Sequence, residues 1–161
     1  MKIKDGELRR ANREIKDINE IKRIVDECRV LRIATKDDDG LYIVPLNFGY
    51  SFENNSFTFY FHSAKEGRKI DAFKASAEVA FEMDCEHELV EAEKACGYSY
   101  KFASIIGTGT IEFLEGESKL NALSILMNHQ TGRDFAFNEK MAKSVAVYSL
   151  TVNQLSVKAN R

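Results

Sequence analysis

With 161 residues, a hydrophobic share of 44% and a charged share of 30%, the chain has the size and composition of one soluble domain that can bury a substantial core without staples. Its formal net charge of −2 offers no bulk attraction to nucleic acid or to an anionic membrane surface, which argues against both as partners. The opening Met-Lys-Ile-Lys-Asp-Gly has no apolar core for a secretory machine to read, and no run approaches the roughly 18 apolar residues of a membrane span. Cys28, Cys85 and Cys96, an odd number at irregular spacing, fit reduced thiols, so the expected location is the cytoplasm.

Residues 1–16 are polar and charged and are expected to form a loose arm, leaving residues 17–161 as a single domain. Asp17-Ile-Asn-Glu20 has the form of a capping box, and Ile18, Ile21, Ile24, Val25 and Cys28 follow at helical spacing. From Val30 to Thr35 the pattern turns to strand. Asp37-Asp-Asp-Gly40 marks a hairpin turn into a second strand over Leu41 to Tyr50, and Glu53-Asn-Asn55 turns into a third that ends at Phe61. Pro45 lies inside the second strand. Because proline cannot donate to a ladder, an edge or a bulge is expected there, with Asn47 on the same face. A helix is predicted over Gly67 to Ala75 and a fourth strand over Glu78 to Asp84. Cys85 to Gly97 reads as irregular and too polar for core. Tyr98 to Leu114 is a long strand run in which Gly107 and Gly109 share one face and the threonines the other, suggesting a bend or a close backbone approach. Helices are predicted from Glu117 to His129, ending near Gly132, and around Asn138 to Lys143, before a last strand from Val145 to Val152. Roughly six antiparallel strands with Greek-key returns and helices outside make a small β-barrel with peripheral helices the economical architecture.

The chemistry concentrates where the aromatic run Phe57-Thr-Phe-Tyr-Phe stops at His62. A short polar loop with Ser63, Lys65 and Gly67 then leads into a helix that opens with Arg68 and Lys69. A helix start presents unpaired N–H groups and the positive end of the macrodipole, and charge-assisted bonds of roughly 1.5–3 kcal/mol each make a phosphate the natural guest. A solvated basic helix start is the plainer reading of the same charges. On the strand carrying Pro45, the Asn47 amide offers donor and acceptor together, which suits a pyrimidine-like ring edge. Cys85, His87 and Cys96 lack a fourth ligand at a usual spacing, so no metal is expected. His87 and His129 read as structural, and Tyr98, Tyr100 and Phe102 either wall a pocket or belong to the core.

Five ordered blocks, Val44-Pro-Leu-Asn-Phe-Gly-Tyr50, Phe61-His-Ser-Ala-Lys-Glu-Gly-Arg-Lys-Ile-Asp71, His87-Glu-Leu-Val90, Glu93-Lys-Ala-Cys96 and Ser104-Ile-Ile-Gly-Thr-Gly109, resemble the pyridoxamine 5'-phosphate oxidase-like flavoproteins. Within them the chain is most similar to the Nim-type branch, named for 5-nitroimidazole resistance. The resemblance spans about residues 12–155. It implies an FMN-binding split β-barrel that dimerises with the flavin at the subunit interface. Val44, Pro45, Leu46 and Asn47 are implied to line the flavin ring. His62, Ser63, Lys65, Gly67, Arg68 and Lys69 are implied to take the ring edge, ribityl chain and phosphate, with Ser104 coming from the other subunit. His62 stands where Nim-type proteins have a histidine near the flavin, and an imidazole there can donate to the reduced ring or protonate a substrate; a strand-end histidine bonding a carbonyl is the alternative. The extra basic residues and C-terminal segment of members that oxidise pyridoxamine phosphate are not seen, so that oxidase activity is not expected.

The resulting expectation is an FMN-dependent oxidoreductase that reduces a small acceptor, for example a nitroaromatic. No G-x-G-x-x-G fingerprint is present, so NAD(P)H is expected to visit only transiently. Three alternatives share these residues: a non-catalytic flavin-binding redox sensor or store, a haem-binding relative on the same barrel using His62, and a cofactor-free dimeric interaction protein.

Overall fold

Asp17 starts the first helix in the way its sequence position predicts. In the structure, a computed structural model that describes residues 1–3 and 11–161, the Asp17 carboxylate accepts the Glu20 N–H at 2.9 Å and caps α1 (Ile18–Glu27). The helix buries Ile21, Ile24 and Val25, as the apolar spacing requires. The remaining helices are α2 (Arg68–Ala75), α3 (Gly116–Thr131) and α4 (Glu139–Ala142). Gly132, in the left-handed conformation, closes α3. The Asn138 side chain accepts the Met141 N–H at the start of α4.

Among the described residues eight strands form one sheet: β1 (Lys2–Ile3), β2 (Val30–Asp37), β3 (Gly40–Asn47), β4 (Gly49–Glu53), β5 (Ser56–Ala64), β6 (Glu78–Val90), β7 (Ser99–Phe113) and β8 (Val145–Asn160). Hydrogen-bonded order is β3-β2-β6-β7-β8-β5-β4, all antiparallel, with β1 lying parallel against the far part of β8. This is the barrel type expected from the sequence, with eight strands rather than roughly six: Lys2–Ile3 adds one, the run from Leu41 to Tyr50 is two strands rather than one, and the last strand continues past Val152 to Asn160. Asn47 still pairs with Val30 of β2, whereas Gly49 pairs with Tyr60 of β5. Phe48 and Gly49 are both buried, so the alternation of β3 breaks where the chain changes partner. The two ends of the sheet, β3 and β4, are therefore joined by the single buried residue Phe48. The sheet must curl back on itself, yet no ladder seals the seam. Gly49 is needed beside that joint, because a Cβ there would lie 2.4 Å from the Leu126 Cα of α3.

Inward residues of β2, β5, β6 and β8 fill the barrel, and α1 packs along β6. A second, smaller cluster, Ala122, Leu123, Ala142 and Val147, fastens α3 and α4 to the outside of β5 and β8. Gly107 and Gly109 face inward and Thr108 and Thr110 outward, with a register shift between Thr108 and Gly109. Cys85 to Val90, read from the sequence as irregular, continues β6 instead. Beyond a bulge after Cys85, Glu88 to Val90 pair with Ser99 to Lys101 in a hairpin that stands clear of the barrel. It carries exposed Leu89, Tyr98 and Tyr100; these two tyrosines are not core, while Phe102 is half-buried under the Arg13 guanidinium. Of the arm expected over residues 1–16, residues 4–10 lie outside the described residues. Lys2–Ile3 pair with Gln154 and Leu155, and Glu14 bridges to Lys158.

The end of β8 is tied to α1 and the β6 bulge by ion pairs. Arg23 reaches Glu20 at 2.8 Å and also Glu86, while Arg161 reaches Glu86 at 3.0 Å and also Glu20. Arg23 first, then Arg161, hold the Glu20 carboxyl down to about 2 from its ordinary 4.5, and Arg161 first, then Arg23, lower Glu86. Carboxyls depressed in the folded state stabilise it above their unfolded pKa, and that contribution is lost as pH falls through the folded value. Amide exchange at 157–161, corrected for intrinsic rate, is expected to quicken between pH 4.5 and about 2 while the core amides of β5 stay protected. Equal loss of protection at both places would refute a local fastening.

Candidate functional site

Two local signals build the site: an edge strand that cannot donate at its middle, and a helix start without a cap. Among the described residues β3 pairs only with β2, so Pro45, opposite Arg32, sits on an edge where its missing N–H is tolerated. Val44 and Leu46 face the core, and Pro45 and Asn47 face out. The Asn47 amide is not free: its nitrogen donates to the Arg29 carbonyl at 3.0 Å and lies 3.4 Å from the Gln130 Oε1 of α3. Its Oδ1 accepts no hydrogen bond among the described residues, leaving one of the two functions that the sequence assigned to it.

Across the seam, β5 continues past its pairing with β4, which stops at Tyr60. His62 is exposed and has no hydrogen bond among the described residues. Ser63 points inward and donates to the Ala64 carbonyl at 2.9 Å. Beside it lies Tyr148, whose buried hydroxyl has no hydrogen-bond partner among the described residues. Burial pushes that phenol up to about 12, with Ser63 acting in the opposite sense. The Thr35 hydroxyl is likewise buried and has no hydrogen-bond partner among the described residues.

Gly67 precedes α2 with φ +120°, a conformation that glycine alone adopts readily, and it provides no side-chain cap. The N–H groups of Ile70 and Asp71 turn back to the Gly67 carbonyl, which leaves those of Arg68 and Lys69 for a ligand or water. Lys65 and Lys69 have no partner among the described residues. Arg68 does: its guanidinium binds both oxygens of Asp37 at 2.6 and 3.0 Å and lies 4.5 Å over the Tyr42 ring. The Arg68 contact holds the Asp37 carboxyl below its usual range. This clasp brings the β2–β3 hairpin, at the Tyr42 end of β3, onto the start of α2, while Asn47 at the other end of β3 sits against Arg29 and Gln130. It also makes one flank acidic, since Asp37, Asp38, Asp39 and Asp71 line an open cleft of about 710 Å³ beside Arg68.

Asp37, Tyr42 and Tyr148 belong to this corner and were not singled out from the sequence. The acidic turn was visible there, but its partner 31 residues away was not. Ser104 stands on the outward face of β7, opposite Asp84 and Lys158, separated from β3 by β2 and β6, so one chain does not bring it to the corner. His129 is structural: Nε2 lies 3.0 Å from the Cys28 carbonyl, the ring packs on Phe48, and burial lowers its pKa. His87 pairs with Asp84 at 2.6 Å. Among the described residues, ligand atoms of Glu27, Cys85 and Glu86 lie within 4.8 Å of one another, but Arg23 holds both carboxylates, and neither His87 nor Cys96 joins the group. No helix among the described residues is long and apolar enough to cross a membrane.

A family model described as pyridoxamine 5'-phosphate oxidase matches residues 17–159. Among solved structures, a candidate 5-nitroimidazole antibiotic resistance protein from Bacteroides thetaiotaomicron is 32% identical, with a TM-score of 0.77 over 92% of this chain and 90% of its own. An FAD- and haem-binding protein from Mycobacterium smegmatis, 17% identical, aligns over 92% of this chain and 74% of its own with a TM-score of 0.79. A flavocytochrome from Azotobacter vinelandii, 19% identical, aligns over 100% and 77% with a TM-score of 0.77. The last two likenesses establish a shared fold. Among curated proteins, none matches this sequence.

Proposed function

The chain belongs to the pyridoxamine 5'-phosphate oxidase family, and from that premise we propose that it is a cytoplasmic FMN-dependent oxidoreductase, working as a homodimer and reducing a small acceptor such as a 5-nitroimidazole. The observation that carries the reading is the cationic corner. It combines the uncapped N–H groups of an eight-residue helix with Lys65 and Lys69, neither of which has a partner among the described residues. That donor set fits a phosphate monoester. The acceptor is supported by likeness to the candidate 5-nitroimidazole resistance protein.

A bound flavin supplies the electron-carrying chemistry. This chain's residues bind, orient and shield. The α2 N–H groups and Lys69 hold the phosphate. Asn47 Oδ1 is left to accept from a ring N–H, and His62, exposed at the end of β5, is the side chain proposed to donate a proton to an acceptor. Shielding calls for a second copy. The outward face from β3 to β7 exposes Leu41, Ile43 and Ile106 by 87, 65 and 57%. Ile43, Ala34, Ala80 and Thr108 stand opposite one another across four strands there. This face mixes exposed aliphatic side chains with the Arg32–Glu82 and Arg32–Asp84 ion pairs, a combination suited to burial against a like face, and Ser104 lies on it.

The test is the absorption spectrum of the purified protein, followed by FMN titration, size-exclusion chromatography and a nitroimidazole reduction assay. A yellow dimer that FMN stabilises against heat is expected. A colourless protein indifferent to FMN would sink the reading, and a Soret band would replace it with a haem-binding one.

A further inference from the structure

We propose that a second anion site, separate from the cofactor corner, lies where α3 and α4 meet the loop after β5, and that it takes the phosphate group of a small organic phosphate. A cleft of about 550 Å³ is lined there by Lys65, Lys119, Lys140 and Lys143, with Glu115 and Glu139 as the acidic residues. Four cations against two carboxylates leave a local charge of +2, on a chain whose formal net charge is −2. That local surplus matches a phosphate dianion.

The decisive residue is Lys119. It is only 7% exposed, and burying an ammonium is costly unless it is paired. Its Nζ donates to the Val145 carbonyl at 2.8 Å, and the one carboxylate near it, Glu115, is 3.9 Å away and largely exposed. An ammonium has three donors, so this one is neither charge-paired at contact distance nor fully hydrogen-bonded. Lys140 and Lys143 at the cleft wall, and Lys65 at its edge, have no partner among the described residues.

The backbone points the same way. Gly116, the first residue of the sixteen-residue α3, lines the cleft, and the helix start has no side-chain cap. The Ser118 hydroxyl, in the first turn, donates to the Glu115 carbonyl. The uncapped start of α3, with its positive helix end, thus borders the same space as the lysines. The cleft falls in the size range of small-molecule sites and exceeds what a free phosphate ion fills, which favours an organic ester. Nothing here rests on the flavin reading, and Lys65 is the single residue the two sites share.

The test is calorimetric titration of the protein as purified, with inorganic phosphate and separately with ribose 5-phosphate, at constant ionic strength and pH 7. Saturable binding is expected. The surface variant Lys140→Ala/Lys143→Ala should weaken it at least about tenfold, and Lys119→Met should do the same if it folds, while Arg68→Ala/Lys69→Ala leaves it within about twofold. Tighter binding of ribose 5-phosphate than of phosphate supports an organic ester as the guest. No saturable binding, or binding lost with Arg68 and Lys69 but kept without Lys140 and Lys143, overturns the proposal. An FMN titration of Lys140→Ala/Lys143→Ala reads the cofactor corner separately, so failure at one site is not confused with failure at the other.

Discussion

Replacing Phe59 with alanine is expected to lower the unfolding free energy by about 3–5 kcal/mol. The ring is fully buried and lies at the centre of an aromatic cluster, with centroids 5.4 Å from Phe48, 5.5 Å from Phe81 and 6.0 Å from Phe57. Phe48 is the joint between β3 and β4, and Phe81 belongs to β6. The cavity would therefore open between opposite walls of the barrel, where rigid strands cannot close over it. Urea denaturation with an unchanged m-value is the measurement. The exposed Phe135→Ala is expected to cost little by comparison. A loss below about 1 kcal/mol for Phe59→Ala would mean that the cluster does not hold the barrel together.

The largest functional effect is expected at the cationic corner. On the FMN reading, Arg68→Ala/Lys69→Ala should weaken FMN binding by roughly ten- to a hundredfold, because the Lys69 contact to the phosphate is lost together with the positive charge of Arg68 beside it. Asp37→Asn should act the other way, tightening FMN by several-fold. In the structure both oxygens of Asp37 occupy the Arg68 guanidinium, so the carboxylate competes with a phosphate for the same donors. Fluorescence quenching of FMN during titration reads both. If Asp37→Asn weakens binding instead, the aspartate positions Arg68 for the ligand rather than withholding it, and the clasp is part of the site. If the double variant binds like the parent, the phosphate lies elsewhere.

Much of this architecture was legible because its determinants are local. Asp17, Asn138 and Gly132 mark helix ends by side-chain and backbone chemistry that operates within four residues. The inward glycines and outward threonines of β7 follow from strand alternation alone. What escaped depended on distance. The change of ladder partner at Phe48 is set by the pairing of Gly49 with Tyr60 of β5 rather than by the residues beside it. The extension of β6 through Glu86, which sits at φ +61° in the bulge, is made by pairing with Ser99 to Lys101 rather than by its own propensity. Both basic residues at the start of α2 were visible in the sequence, but only the folded chain shows that Arg68 already has an anion and that Lys69 does not. The Asn47 amide was likewise recognisable as a polar group on the right face, while its commitment to Arg29 and Gln130 follows from α3 folding across from it.

The joint at Phe48 has a bearing on how molecules of this kind can associate. A sheet whose rims are left open ordinarily invites a stranger's strand to extend it. Here one rim carries Pro45 at mid-strand, and the other is the five-residue β4 beside α3. The two rims are also held near each other by a one-residue link, which leaves little length for edge-to-edge polymerisation. Fibre-like growth through either rim is therefore disfavoured.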